Sequence, residues 1–309
     1  MSIVFYSSTD DPEPWRRALA AALPDLEFRV WPDTGPVGSV RYTLVWKPPA
    51  GWHRQFPNLR AILSLGAGVD AILADPDLPR GIPITRLRDA GMAQQMSEYA
   101  LYGALHFHRR MDVYSRQQRE AVWLPLEPRL TAERGVGVMG LGILGSAAAA
   151  MLARVGFRVE GWSRTPRRLK GVGCRAGQDE FGPFLARSEI LINFLPLTPD
   201  TIGILDAVTL ARLPRGACIV NPARGAHVVE RDLIAALDCG QIGGAMLDVF
   251  ADEPLPRPHP LWQHPGVVIT PHVAAVTIAS EAAGQVVANL RRLERGEAPA
   301  GPVDRAAGY

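Results

Sequence analysis

Ten residues, Val136-Gly137-Val138-Met139-Gly140-Leu141-Gly142-Ile143-Leu144-Gly145, decide the fold class of this chain. An apolar stretch typical of a buried strand leads into a G-x-G-x-x-G pattern, and the Ala-rich residues that follow favour a helix. In such a unit the first glycine allows the turn, the second lets the backbone approach a pyrophosphate, and the third permits close helix packing. The context disfavours an ordinary glycine-rich turn. The pattern predicts a dinucleotide-binding unit whose cofactor contacts include Gly140, Gly142, Ile143, Leu144 and Gly145.

The end of the next predicted strand, residues 157–162, bears on which dinucleotide is bound. In this fingerprint, an acidic residue about 20 positions further on holds the ribose 2′-hydroxyl of NAD. Ser163 stands there instead, and Arg164, Arg167 and Arg168 follow it. Loss of a carboxylate removes repulsion, and arginines supply donors for a 2′-phosphate, so we expect NADP(H) to be preferred and NAD(H) to be possible. A solvated basic loop without a cofactor contact remains the alternative.

On both sides of this segment, β-branched runs alternate with Ala- and Leu-rich stretches, which indicates βαβ units around parallel sheets. We therefore expect an α/β protein with two doubly wound parallel-sheet domains, Rossmann-like and flavodoxin-like, and a cleft between them. Open parallel sheets bind ligands beyond the carboxyl ends of their strands, so the cleft is the expected site. The main elements are predicted at these positions: strands at 3–6, 28–31, 43–46 and 61–65, helices at 15–22, 94–110 and 280–295, and a second βαβ series from 136 to 273.

Composition excludes several classes of function. The 309 residues carry 33 basic and 31 acidic side chains, a balance that argues against a partner such as a nucleic acid or a membrane surface. The three cysteines are far apart and form no C-x-x-C, so we expect no metal site and no disulfide framework. The apolar run at the N-terminus is too short for a signal peptide, which favours a cytoplasmic location.

Three later segments each place a chemically capable residue after an apolar strand. These residues are Arg224 in Asn221-Pro222-Ala223-Arg224-Gly225, Glu253 after Leu247-Asp248-Val249-Phe250, and His272 in Thr270-Pro271-His272. An arginine can clamp a carboxylate and polarise a carbonyl, a histidine can donate a proton, and a glutamate can orient that histidine. Each residue alone is more often structural, but their joint occurrence after a dinucleotide loop predicts a catalytic constellation.

These motifs, together with Leu195-Pro196-Leu197-Thr198-Pro199, are where the chain resembles a known family. It resembles the D-isomer-specific 2-hydroxyacid dehydrogenases over essentially its whole length. Within that family it is similar to bacterial glyoxylate/hydroxypyruvate reductases of the A type. The segments that carry this finer likeness are 89–96, Gly161-Trp162-Ser163-Arg164, 260–265 and the C-terminal Val303-Asp304-Arg305-Ala306-Ala307-Gly308-Tyr309.

The resemblance implies roles for individual residues. Arg224, Glu253 and His272 match the catalytic residues, and Asp248 matches the residue that contacts the nicotinamide carboxamide. The backbone N–H groups of Ala67 and Gly68 match those that hold the substrate carboxylate together with Arg224, and Trp46 is a weaker candidate for the same site. Further cofactor contacts are expected from His272 and from Leu195, Pro196 and Ala223.

The resemblance also implies how the chain is organised and what it does. Residues 1–97 and 281–309 would form the substrate-binding domain, and residues 98–280 the dinucleotide-binding domain. The expected activity is NAD(P)H-dependent reduction of a small 2-oxo acid such as glyoxylate or hydroxypyruvate. The alternatives are another 2-oxo acid, such as phenylpyruvate, and a non-catalytic dinucleotide-sensing protein. The stretch 112–134, predicted to be irregular, resembles a dimer arm, so we expect a homodimer in which Trp123 reaches the neighbouring subunit or packs within its own.

Overall fold

The computed structural model describes residues 1–309, which form two compact units. The first unit contains Met1–Gly91 and Thr277–Tyr309, and the second contains Met92–Val276. The limits predicted at 97/98 and 280/281 lie a few residues further along the chain. The difference at the first limit arises because the long helix of the second unit already begins at Met92.

The first unit is a five-stranded parallel sheet in the order β2-β1-β3-β4-β5, which is the flavodoxin-like arrangement. Its helix α9 packs against α1. The strands are β1 (Ser2–Tyr6), β2 (Glu27–Val30), β3 (Tyr42–Val45), β4 (Ala61–Ser64) and β5 (Ile84–Thr85), and the helices are α1 (Pro12–Ala22), α2 (Asp70–Leu73) and α9 (Ala279–Glu294).

The second unit is a seven-stranded parallel sheet in the order β12-β11-β10-β9-β6-β7-β8, a Rossmann arrangement whose strand order reverses between β6 and β9. Its strands are β6 (Gly135–Met139), β7 (Arg158–Ser163), β8 (Gly173–Ala176), β9 (Ile190–Asn193), β10 (Ala217–Asn221), β11 (Ile242–Leu247) and β12 (Val267–Ile269). Its helices are α3 (Met92–His108), α4 (Met111–Arg119), α5 (Ile143–Val155), α6 (Phe181–Leu185), α7 (Ala207–Ala211) and α8 (Glu230–Asp238). Short 3-10 turns lie at Val37–Ser39, Trp52–Gln55, Thr131–Glu133, Gly225–His227 and Pro260–Trp262.

The prediction of two doubly wound parallel sheets is therefore confirmed. The central strands β6 and β9 are buried at every position, as expected of parallel strands covered on both faces. Residues 136–153 carry no charged side chain, and they form most of β6, the glycine-rich turn and most of α5 rather than one continuous helix. No helix of the chain is long and apolar enough to cross a membrane.

The prediction that 112–134 is irregular throughout is wrong for its first part, which is helix α4. This helix begins after Arg110, which has a left-handed backbone, and it buries only Val113 among polar residues. Its residues are mostly polar or charged, so it has no Ala- or Leu-rich stretch of the kind that marked the other helices in the sequence. The remaining segment, 120–130, is irregular as predicted, and Trp123 is 99% exposed, so it does not pack within its own subunit.

A buried histidine in the first unit should make the free energy of unfolding depend on pH. His53 is 1% exposed, neither ring nitrogen has a hydrogen-bond partner, and burial lowers its pKa to about 4. The unfolded chain binds this proton at about pH 6.5. The free energy of unfolding should therefore fall between about pH 6.5 and 4, by up to roughly 1.4 kcal/mol per pH unit from this group.

Urea denaturation of the wild type and of a His53→Leu variant at pH 7 and pH 5 checks this expectation. Carboxylates that titrate in the same range are common to both proteins and cancel in the comparison. The variant should lose less stability between the two pH values than the wild type. Equal losses would show that His53 does not titrate with unfolding.

Candidate active site

The glycine-rich loop leaves β6 and enters α5 at the point where the strand order reverses. Gly140 has a φ of +91°, and a Cβ there would lie 2.7 Å from the carbonyl oxygen of Phe194. At Gly145, a Cβ would lie 1.9 Å from the Gly140 oxygen, so the helix can approach the strand only without a side chain. Around Gly142, by contrast, nothing lies within 4 Å of the Cβ position, and no side chain caps the N-terminus of α5. The open cradle and the free N–H groups fit a pyrophosphate.

The segment after β9 faces the same point of strand reversal. Leu195 is buried, and its N–H donates to Oδ1 of Asn193 at 3.1 Å. Pro196 follows, and its carbonyl oxygen accepts from the Thr201 hydroxyl at 2.7 Å. Leu195 and Pro196, which were predicted to contact the cofactor, thus lie on a loop with a defined backbone at the carboxyl end of β9, the neighbour of β6.

The turn after β7 carries the residues expected to choose between the two dinucleotides. Ser163 is buried at the end of the strand, and its hydroxyl donates to the carbonyl oxygen of Thr165 at 2.8 Å. The hydroxyl is thus hydrogen-bonded within the turn. Ser163 therefore affects the choice of cofactor because it lacks the carboxylate that would repel a 2′-phosphate. Arg164, Arg167 and Arg168 are exposed, and the last two help to line a shallow surface pocket of about 530 Å³.

Arg224 lies on the loop that follows β10 and is half-buried. The side chain of Asn221 shapes this loop, since its Nδ2 donates to the Arg224 carbonyl oxygen at 3.0 Å and its Oδ1 accepts from Ala223 N–H at 3.3 Å. At Gly225, a Cβ would lie 1.9 Å from the carbonyl carbon of Phe250. The glycine therefore lets the Arg224 loop lie directly against the segment that leads to Glu253.

His272, after β12, and Glu253, in the loop between β11 and β12, lie within ion-pair distance of each other. The imidazole Nδ1 lies 2.8 Å from Oε2 of Glu253, and the other carboxylate oxygen accepts from Phe250 N–H at 3.2 Å. The two side chains are 30% and 23% exposed, respectively. Because Nδ1 donates to the carboxylate, the second ring nitrogen, Nε2, is left to carry a proton toward a ligand. The predicted Arg–Glu–His set thus comes from adjoining loops of one unit.

Asp248 holds the turn that presents His272. Its Oδ1 accepts from the Thr270 hydroxyl at 2.6 Å and from Val273 N–H at 2.8 Å, and its Oδ2 accepts from Ala274 N–H at 2.8 Å. His272 has a φ of +57°, and its N–H donates to the Asp248 carbonyl oxygen at 2.8 Å. Burial raises the pKa of Asp248 although these hydrogen bonds oppose the shift. The residue predicted to contact the nicotinamide therefore also fixes the backbone of the histidine.

Tyr99 is a contributor to the site that the sequence did not reveal. Its hydroxyl lies 2.7 Å from the Thr270 hydroxyl, so a chain of hydrogen bonds runs from helix α3 through Thr270 to Asp248. Burial raises the pKa of the Tyr99 phenol. A tyrosine among the apolar residues of a helix carries no periodic signal that could have distinguished it from a core residue.

The residues expected to hold the substrate lie at the carboxyl edge of the first sheet. Trp46 follows β3, and a Cβ at Gly66 would lie 2.6 Å from its ring, so the indole packs on the loop after β4. The Ser64 hydroxyl braces this loop, since it accepts from Gly66 N–H and donates to the Gly68 carbonyl oxygen, both at 3.2 Å. Ala67 and Gly68 are half-exposed at its tip. Trp46, Ala67 and Gly68 are thus brought together.

The chain is similar to known proteins over its whole length. Residues 101–274 match the family model of the D-isomer specific 2-hydroxyacid dehydrogenase NAD-binding domain. The chain is 45% identical to glyoxylate/hydroxypyruvate reductase A of Yersinia enterocolitica, with 100% of both chains covered. The chain belongs to the D-isomer specific 2-hydroxyacid dehydrogenase family.

Two solved structures of this dehydrogenase family are similar over the full chain. A D-isomer specific 2-hydroxyacid dehydrogenase from Xanthobacter autotrophicus in complex with NADPH and MES has a TM-score of 0.95 and 49% identity, with 100% of this chain and 99% of that chain covered. The NADPH-dependent glyoxylate/hydroxypyruvate reductase from Sinorhizobium meliloti, in complex with NADP and sulfate, has a TM-score of 0.93 and 36% identity, with 100% of both chains covered. The family resemblance inferred from the motifs is confirmed.

Proposed function

We propose that this dehydrogenase is a reductase of small 2-oxo acids that prefers NADPH as its cofactor and glyoxylate and hydroxypyruvate as its substrates. The observation that carries the proposal is the His272–Glu253 pair, held 2.8 Å apart in the unit that also contains the dinucleotide loop and Arg224. The names of the relatives in Yersinia enterocolitica and Sinorhizobium meliloti support the choice of substrates.

The second unit supplies the groups that would hold the dinucleotide. The N–H groups at the start of α5, from Gly142 to Leu144, bind the pyrophosphate, because they have no intrahelical partner and lie at the positive end of the helix dipole. Leu195, Pro196, Ala223 and Asp248 contact the nicotinamide half. When bound, NADPH supplies the hydride that is added to the carbonyl carbon of the oxo acid.

The substrate is bound through its carboxylate and its carbonyl oxygen. The N–H groups of Ala67 and Gly68 donate to the carboxylate, and Trp46 lies against their loop and covers it. Arg224 also binds the carboxylate, and its guanidinium draws electron density from the carbonyl group, which makes the carbon more electrophilic.

His272 supplies the proton that completes the reduction. Glu253 accepts a hydrogen bond from Nδ1, so the carboxylate orients the ring and leaves Nε2 to face the substrate. The proton on Nε2 passes to the oxygen of the forming alkoxide, which leaves a neutral imidazole and a 2-hydroxy acid.

An assay of NADPH oxidation with a set of 2-oxo acids tests this function against its alternatives. Glyoxylate and hydroxypyruvate should be turned over with a higher kcat/KM than phenylpyruvate. A preference for phenylpyruvate would leave the chemistry intact but change the substrate class. Binding of NADPH without turnover of any oxo acid would instead favour a non-catalytic dinucleotide-sensing protein, a reading that the complete Arg224, Glu253 and His272 set disfavours.

The cofactor preference follows from the turn after β7. A hydrogen bond to a charged group contributes roughly 1.5–3 kcal/mol, and exposed arginines fall toward the low end because salt screens them. With Arg164 and Arg167 beside a 2′-phosphate, kcat/KM with NADPH should exceed that with NADH by at least about tenfold. The margin should shrink as ionic strength rises.

A double variant, Ser163→Asp with Arg164→Ala, should reverse the order of the two cofactors without abolishing reduction. The single variant Arg154→Ala is the matched control, since Arg154 is an exposed arginine in the last turn of α5, at the end of the helix away from the glycine-rich loop. Equal or better turnover of the wild type with NADH would overturn the preference and leave the arginines as surface charge.

We also infer that the protein is a homodimer. The segment 120–130 exposes Trp123, Leu124 and Leu130 at 99%, 57% and 71%, more apolar area than a free loop usually carries. Light scattering should give twice the 33.5 kDa mass of one chain. A mass of one chain under dilute native conditions would contradict the dimer.

A further inference from the structure

His227, which no part of the proposed mechanism uses, lies at the centre of a buried polar network in the second unit. It ends the 3-10 turn that follows Arg224, and its side chain is fully buried. Its Nδ1 lies 2.9 Å from Nδ2 of Asn193, and its Nε2 lies 3.2 Å from the carbonyl oxygen of Pro196. One imidazole thus joins the loop after β9 to the loop after β10.

The direction of each hydrogen bond can be assigned from its neighbours. Oδ1 of Asn193 accepts from Leu195 N–H at 3.1 Å, which fixes the orientation of the amide. Its NH₂ group therefore donates to Oδ1 of Asn221 at 3.1 Å and to Nδ1 of His227. An amide nitrogen cannot accept, so Nδ1 of His227 carries no hydrogen and Nε2–H donates to Pro196. The imidazole is held as the neutral Nε2–H tautomer.

The same network reaches the backbone of Arg224. Nδ2 of Asn221 donates to the Arg224 carbonyl oxygen at 3.0 Å, and the backbone N–H of His227 donates to the same oxygen at 3.3 Å. Every polar atom of the His227, Asn193 and Asn221 side chains has a partner. Fully satisfied polar networks in a low-dielectric interior hold one geometry, because any alternative leaves a buried group unpaired.

We propose that His227 is a positioning residue that fixes the loop carrying Arg224 relative to the Leu195–Pro196 loop. This inference rests on the proposed function, since it assumes that these loops hold the oxo acid and the nicotinamide. The contacts of the His227 ring are with Asn193 and Pro196, so in this proposal His227 acts through the Pro196 and Arg224 loops. The effect on rate should be large because a misplacement of about 1 Å can lower it by about 10²-fold.

Kinetics of His227→Leu test the proposal first. Leucine removes both ring contacts, so kcat/KM for glyoxylate should fall by about 10- to 100-fold, with a rise in KM because Arg224 moves. The Kd of 2′-phospho-ADP-ribose, which lacks nicotinamide, should stay unchanged. His264→Gln is the matched control, since His264 pairs with Asp238 at the opposite, amino end of β12, and its KM should remain that of the wild type.

Two conservative variants separate the contacts and keep the test decisive if His227→Leu fails to fold. The amide of His227→Gln reaches the Nε2 position and can still donate to Pro196, whereas that of His227→Asn reaches the Nδ1 position and can still accept from Asn193. Each should recover part of kcat/KM, and a folded His227→Gln, His227→Asn or His227→Leu with wild-type kcat and KM would overturn the proposal.

Nitrogen NMR of the wild-type imidazoles gives a readout that does not depend on activity. The histidine signal that disappears in the His227 variants should show a protonated Nε2 and an unprotonated Nδ1 in the wild type, and it should keep this pattern as the exposed histidines become protonated at lower pH. A doubly protonated ring or the opposite tautomer would contradict the network. Failure of the wild type to reduce any oxo acid would refute the proposed function while leaving this tautomer result as it stands.

Discussion

Replacement of His272 by alanine should lower kcat for glyoxylate reduction by about 10²- to 10⁴-fold, the usual contribution of a positioned general acid. The reason is geometric: Nδ1 is tied to Glu253 at 2.8 Å, so only Nε2 can deliver the proton to the alkoxide. NADPH affinity, measured by nucleotide fluorescence, should be nearly unchanged, because the dinucleotide loop lies on other strands. Steady-state oxidation of NADPH at saturating glyoxylate measures the loss.

Glu253→Gln separates the orientation of His272 from its charge. A glutamine keeps a hydrogen-bonding group near Nδ1 but removes the negative charge that stabilises the imidazolium. Its kcat should fall between those of the wild type and His272→Ala. Normal turnover by His272→Ala would show that another group donates the proton and would refute the assignment.

Arg224→Lys should raise KM for the 2-oxo acid and lower kcat together. Lysine keeps the charge but loses the planar pair of donors that binds a carboxylate at two points. Loss of one charge-assisted hydrogen bond costs roughly 1.5–3 kcal/mol, or about 10- to 150-fold in kcat/KM. Initial rates over a range of glyoxylate concentrations separate the two parameters.

Arg215→Lys is the control for the Arg224 variant, because the Arg215 guanidinium donates to the Cys239 carbonyl oxygen and lies before β10, at the end of the strand opposite to the Arg224 loop. It should leave both parameters unchanged. If Arg224→Lys also leaves KM for glyoxylate unchanged, the carboxylate is held by other groups.

The fold could be read from the sequence because its signals are local and repeated. Apolar runs flanked by turn residues placed β1, β3 and β4 within a residue or two of their observed limits, and the glycine pattern placed the β6–α5 turn. Helix α4 was missed because its residues are mostly polar or charged and it lacks the Ala- and Leu-rich composition that marked the other helices, although one face buries Val113.

The residues of the candidate site could also be predicted from the sequence, but the contacts that hold their side chains in place could not. His272 and Glu253 lie 19 positions apart on the loops after β12 and β11, and their pairing is visible only in the folded chain. Likewise, the close approach of the Arg224 loop to Phe250, which Gly225 allows, joins segments that are far apart in sequence. Tyr99, which bonds to Thr270, lies in a helix whose sequence looks like ordinary core. His227, which bonds to Asn193 and Pro196, lies in a segment whose sequence looks like an ordinary turn. Hydrogen bonds between segments that are distant in sequence cannot be predicted from the spacing of residues within either segment.

The choice of oxo acid and the assembly state depend on surfaces rather than on motifs. In the proposed function the loop with Ala67 and Gly68 would bind a carboxylate through backbone groups, so its side chains carry little information on the rest of the substrate. The same holds for assembly, because the homodimer is inferred from the exposed apolar surface of Trp123, Leu124 and Leu130, which is visible only in the folded chain.

Reduction of hydroxypyruvate by NADPH, with chiral analysis of the product, tests the central claim most directly. It requires hydride transfer to a small 2-oxo acid, and the family assignment fixes the configuration that must result. We predict stoichiometric NADPH oxidation with formation of the D-isomer of the 2-hydroxy acid. Formation of the L-isomer, or no oxidation of NADPH by folded wild-type protein, would contradict the account.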